Sequence, residues 1–386
     1  MNTNMEHRRR NLSSGNRYVF VSCQANGYGY VAVIDPVPDK VIKWIPVGKK
    51  PGPMCMDPSE KKLYVLNTES DSVTVIDTVN LIDIKTIKIG NSSTQVLPNT
   101  IFASAKGNKI YVSKADTKYR TYVTIIDSLK DEVTEAVPLP LQKNYSFAFT
   151  GNKNSNYVYL ACLSMDGSPQ DRLFAINIDQ DFAYPVGVGM DISFDGFHNP
   201  FTVHPDGHTL ATFGFYGLLT YFDGYEIGNS RVPMALEQTV SGIYMDNKKL
   251  VCTMRDELDY LALIDNLSIH KDGSISYGDF KKIPSYRWQD KIRLSRNQTY
   301  VGVTIRPFGD YKSGVQIINI AEENGMNKLV ELPFVGDLAF YGDTKAYVGE
   351  ESSVRPIDVT NGTALPPIDM KAGVANIISG YINQSL

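Results

Sequence analysis

Three cations in this chain, Lys114, Arg255 and Arg306, each stand directly after a run of apolar residues that reads as a β-strand. A guanidinium presents a planar fork of N–H donors that matches carboxylate or phosphate, and a lysine presents a compact positive charge. These three positions are candidates for holding an anion, and pairing with neighbouring acids such as Asp256, Asp310 or Glu350 is the competing reading. His198, Asp290 and Glu350 are the candidates for acid–base catalysis, His198 because its imidazole titrates near neutral pH. Trp288, Tyr28, Tyr145 and Tyr216 could supply apolar or stacking surface to a ligand, and Asn67 and Asn99 could supply amide hydrogen bonds.

Other chemistry is poorly served. His198, His204 and His208 are three of the five histidines, and a metal site would need them to converge. His204 and His208 bracket a Pro-Asp-Gly turn at the far end of a strand from His198, so no metal site is expected. There is no Gly-x-Ser-x-Gly, no His-Glu-x-x-His, no phosphate-binding loop and no dinucleotide fingerprint. Five Asp-Gly pairs read as turns, and none has the spacing of a calcium loop. No cofactor is implied.

The elements that must position these residues are strongly periodic. A strand start followed by a second strand ending in Asp or Asn recurs eight times, beginning at Tyr18, Tyr64, Tyr111, Tyr159, Ala211, Val251, Tyr300 and Tyr347. Successive starts lie 40 to 52 residues apart, the span of one four-stranded propeller blade. The fold class is therefore all-β, a single closed β-propeller with eight blades; seven is the alternative, reached by merging the divergent blades 5 and 6. Blade 1 lacks an innermost strand, and the strand-like segment near the C-terminus, Val374 to Ile382, is expected to supply it and close the ring.

Tyr64-Val65, Ser72 to Asp77 and the closing Ile89-Gly90 resemble the YVTN-type β-propeller repeat, and His204 to His208 is similar to its Ser-Pro-Asp-Gly turn. The resemblance extends over nearly the whole chain from Arg17 and implies the fold; it is almost silent on function.

The Asp or Asn that ends each third strand is read as a turn-former whose side chain accepts backbone N–H groups two residues on. The recurrent tyrosines are read as packing groups between blades. Variation between repeats is more informative. The distance from second-strand start to third-strand end is longest in blades 1, 3, 4 and 7, which predicts longer 2–3 loops there. Those loops share a face with the links into the innermost strands, and this channel mouth is the candidate site.

Composition bounds the rest. With 42% hydrophobic residues the chain can bury a large core, and no linker divides it. Residues 1–16 are expected to form a flexible tail and residues 17–386 the propeller. The net charge of −4, with Lys and Arg dispersed, argues against nucleic acid. No apolar run approaches the length of a membrane span. Four cysteines, Cys23, Cys55, Cys162 and Cys252, lie in different blades without a Cys-x-x-Cys pair and read as buried thiols. Together with the absence of an export leader they suggest a cytoplasmic protein, although an exported chain whose leader had been removed would read the same. A binding protein that holds a small molecule, peptide or protein at the mouth is the leading function. An enzyme acting there by acid–base chemistry is the alternative, and a cell-envelope role is a third reading.

Overall fold

A computed structural model describes residues 18–90, 96–116, 120–141, 145–164, 172–188, 201–214, 216–223, 226–255, 257–270, 272–310, 312–320, 327–370 and 372–379. Among these residues the chain is all-β and forms eight blades of antiparallel strands. Blade 2 shows the plan: Pro51–Met56, Lys62–Asn67, Ser72–Asp77 and Ile82–Lys88 run from the innermost strand to the outermost. The two blades that composition left ambiguous are separate sheets. Blade 5 is built on Phe201–Val203 and Thr209–Thr212, and blade 6 on Thr239–Tyr244 and Leu250–Met254.

Blade 1 begins with its second strand, Val19–Ala25, and its innermost strand is Gly373–Ser379 from the other end of the chain. Val19 pairs with Ser379 and Gln24 with Gly373, so both ends of the described chain are hydrogen-bonded into one sheet. Closure of this kind fills the place of the missing innermost strand, so that blade 1 has four strands and its second strand is not left as an open inner edge.

The core explains why the middle strands read as nearly continuous apolar runs: both faces of each blade are covered by a neighbour. Buried side chains among the described residues fall into eight clusters, and each cluster spans one junction. Val19, Val21 and Cys23 of blade 1 pack with Tyr347 and Val354 of blade 8. Phe20, on the opposite face of the same strand, packs with Leu63 and Val65 of blade 2. Tyr64, Tyr111, Tyr159 and Tyr347, each completely buried, occupy equivalent places.

The turn-formers act as their positions imply. Asp77 Oδ1 accepts the amides of Val79 and Asn80, each at 2.8 Å, and Asn177 Oδ1 accepts those of Asp179 and Gln180, each at 2.9 Å. Asp35, Asp127 and Asp358 each accept the amide two residues on.

One expectation is corrected. Blade 1 does not have a long 2–3 loop: its second and third strands extend to Ala25 and Tyr28 and are joined by Asn26-Gly27 alone. Both turn residues have positive φ, 51° and 79°, the geometry of a tight hairpin. The extra residues lengthen strands, which alternation alone does not distinguish from loop. Blade 7 does carry a long connection, from Ile305 to Gly314.

Candidate functional site

The links into the innermost strands and the 2–3 connections lie on one face and are bonded to each other by a repeated device. The amide just beyond the second strand donates to the carbonyl of the residue just before the innermost strand: Thr68 to Lys50 at 3.0 Å, Arg255 to Gln238 at 2.7 Å, and Arg306 to Trp288 at 2.9 Å. Lys50, Gln238 and Trp288 all have positive φ, 49°, 62° and 63°. A left-handed residue reverses the incoming link so that its carbonyl faces the loop, and costs about 1–3 kcal/mol for a side chain without special freedom. The cost recurs at one structural position, so it belongs to the architecture of the mouth. Arg255 and Arg306 are therefore equivalent residues of blades 6 and 7.

In blade 7 this frame gathers aromatic and cationic groups. Trp288 stacks on Phe308 with ring centroids 3.8 Å apart and planes at 25°. Phe308, on the long 2–3 connection, remains 53% exposed, while Arg306 is half-buried and Arg255 exposed. Tyr286 and Phe334 are further exposed aromatic groups on the links flanking this blade. Asp290 is buried on the innermost strand Gln289–Leu294. Gln289 beside it pins blade 7 to blade 6, its Oε1 accepting the Met254 amide at 2.9 Å and its Nε2 donating to the carbonyl of Tyr260 at 3.0 Å.

Other candidates are engaged within the scaffold. Glu350 accepts hydrogen bonds from Ser353 and from Arg355 Nε and Nη2, the latter two at 3.2 and 3.1 Å. Asn67 is fully buried, and its amide donates to Ser72 at 3.2 Å and Thr74 at 2.9 Å. Gly48 permits this placement, because a Cβ there would come within 2.6 Å of the Asn67 amide carbon. Lys114 is buried and donates to the Ile89 carbonyl; burial pulls its pKa down, with Asp71 opposing the shift. Tyr28 is 68% exposed at the tip of the blade 1 hairpin. His198 lies outside the described residues, as do the side chains of Asn99, Tyr145 and Tyr216, whose backbones belong to strands.

A charged cluster in the channel wall was not anticipated. Asp337, which leads into the blade 8 innermost strand, is buried and faces Arg293 at 3.2 Å and Lys291 at 3.4 Å from blade 7. Its other oxygen accepts Asn376 Nδ2 at 2.5 Å and the Ile377 amide at 3.4 Å, both on the closing strand. Burial alone would raise the Asp337 pKa; Lys291, Arg293 and two backbone amides outweigh it and hold the carboxyl below the usual range. Lys-Ile-Arg on an innermost strand was the available signal, because alternation points both cations to one face.

Two concave regions formed by described residues lie elsewhere. One, about 640 Å³, runs between blades 8 and 1 and is lined by Pro38 to Val41 and Leu365 to Asp369. The other, about 420 Å³, joins the 1–2 turns of blades 4, 5 and 6 on the face opposite the mouth. His204 lies under that second face, with Nε2 3.0 Å from the Asn247 carbonyl and Nδ1 accepting the Asp206 amide. No three His, Cys, Asp or Glu side chains converge among the described residues. Burial pushes the Cys23 thiol up to about 11 and raises Cys55 and Cys252 further, so none of these three is an ionised nucleophile at neutral pH.

No protein-family model matches the chain, and no curated protein matches it. Solved structures do. The dihydro-heme d1 dehydrogenase NirN, in complex with DHE, is similar over 94% of this chain and 75% of its own, at 13% identity and a TM-score of 0.67. AztD of Citrobacter koseri is similar over 94% and 97%, at 14% identity and a TM-score of 0.59. A functionally unknown protein of Desulfotomaculum acetoxidans is similar over 94% and 98%, at 11% identity and a TM-score of 0.58. Likeness at these identities establishes the propeller fold alone.

Proposed function

We propose that this chain is a YVTN-type propeller acting as a binding protein, and that it holds a polar or anionic small molecule, peptide or protein partner at the channel mouth, on blades 6 and 7. The observation that carries the reading is the Trp288–Phe308 stack, half exposed beside Arg306 on a rigid, strained frame. A flat apolar surface next to guanidinium groups suits a ligand that combines a planar or apolar body with a carboxylate or phosphate. That NirN is in complex with DHE supports ligand holding by a similar fold. A cytoplasmic location belongs to the same reading and is supported by four buried cysteines with no disulfide between them.

The acid–base alternative, resting on His198, Asp290 and Glu350, has less to draw on because Glu350 is already held by Arg355 and Ser353. Thermal-shift and calorimetric titration against phosphate, dicarboxylates, aromatic carboxylates and acidic peptides tests the proposal. For any compound that binds, Trp288→Ala should weaken affinity about tenfold, and Arg255→Ala with Arg306→Ala by at least as much. Binding that is unchanged in both variants would place the site elsewhere.

A further inference from the structure

Exposed apolar groups are unevenly distributed around the ring. Thirteen large apolar side chains are exposed among the described residues, and nine of them stand on the 3–4 turns or outermost strands of blades 1 to 4. Val37, Val79 and Leu129 occupy the same turn position in three consecutive blades and are 85%, 71% and 73% exposed. Ile42 and Trp44 follow on blade 1, and Ile84 on blade 2. The outermost strands of blades 6, 7 and 8 contribute none. Scattered single groups would need no explanation, but a repeated set on adjoining blades does.

The same arc carries a charge gradient. Its outermost strands bear Lys40 and Lys43 on blade 1, Lys85 and Lys88 with Asp83 on blade 2, and Glu132 and Glu135 on blade 3. Lys85 reaches Glu132 at 3.4 Å and the Lys130 carbonyl at 3.2 Å, so blades 2 and 3 form one continuous surface. Basic and acidic ends on one apolar arc are self-complementary. A two-fold axis through the rim of blade 2 brings the basic blade 1 of one copy against the acidic blade 3 of the other, twice.

We propose that this arc is a homodimer interface, in which the second copy packs on the rims of blades 1 to 3. A foreign partner would have to reproduce the gradient in reverse, whereas a second copy supplies it by symmetry. The contact is made by side chains rather than by continuing the sheets. Each outermost strand is broken by a bulge, with Ile42, Ile84 and Thr134 left opposite no partner residue, and bulged edges resist strand addition.

The test is a charge exchange on the full chain, read by sedimentation velocity and light scattering. Wild type should be dimeric at about 100 µM, well above the dissociation constant of an ordinary interface. Lys40→Glu with Lys43→Glu, and separately Glu132→Lys with Glu135→Lys, should each raise the dissociation constant at least about tenfold by setting like charges together. An equimolar mixture of the two variants should restore the dimer, because both contacts are then again opposite in sign. A monomeric wild type would overturn the proposal and leave the arc to a different protein. So would a dimer indifferent to both exchanges, or variants with wild-type melting curves whose mixture stays monomeric.

Discussion

Asp77 shows how much a single side chain contributes when its role is local. Its carboxylate accepts two backbone amides and the Asn80 side-chain amide within one turn, all inside four residues of sequence. That proximity is why the role was readable without coordinates. Asn177 makes the same two backbone bonds without a charge, so hydrogen bonding and not charge is what the turn needs. Accordingly Asp77→Asn should leave stability within about 0.5 kcal/mol of wild type, whereas Asp77→Ala should cost about 1 kcal/mol in urea unfolding. Glu350 is the opposite case. It stood out as a carboxylate beyond a strand, but its partner Arg355 lies across a 2–3 hairpin whose pairing had to be known first.

Between elements, the second strand of one blade grips the 3–4 turn of the next. Lys62 Nζ and Tyr64 OH each lie 2.6 Å from Asp131. Lys345 and Tyr347 hold Asp39 at the same distances, across the junction that closes the ring, and Lys109 holds Asp181 at 2.6 Å. The gripped aspartates have positive φ, between 51° and 56°. Blade 1 replaces the whole device with apolar groups: Tyr18 and Phe20 stand where Lys62 and Tyr64 stand, and Leu81, at φ 57°, takes the place of the aspartate and packs with them. The tyrosines were legible as interblade groups, but the aspartate they meet lies 67 residues away and was not. Removing the carboxylate takes the charged partner from a part-buried ammonium and the closer acceptor from a buried hydroxyl, leaving both only the Ser128 carbonyl, at 2.8 and 3.2 Å. Asp131→Ala should therefore cost about 2–4 kcal/mol and Tyr64→Phe about 1 kcal/mol, measured by denaturant midpoints at constant m-value.

Across the whole molecule, one buried carboxylate ties together blades 7, 8 and 1. Asp337 joins both cations of blade 7 to the closing strand, and its pKa is lowered in the folded state. A carboxyl whose folded pKa is depressed stabilises fully above its unfolded pKa, near 4, and loses that contribution as pH falls through the folded value. Asp337→Asn should thus lower the melting temperature at pH 7 and shrink the loss of stability between about pH 4 and pH 2. A variant whose acid limb matches wild type would show that other carboxyls control acid unfolding. By itself the sequence determined the four-stranded blade, the strand order, the closure by the C-terminal segment and the turn chemistry, while the choice of eight blades over seven waited on the separate sheets of blades 5 and 6. Each of these is written in apolar periodicity and short-range hydrogen bonding, which the chain carries locally. Only the tertiary structure decided which charged and polar groups are already engaged, as Glu350, Lys114 and Asn67 are, and which converge, as Asp337 does with Lys291 and Arg293. A ring assembles those neighbours from different blades, and their meeting depends on the tilt and spacing of sheets that no single repeat encodes.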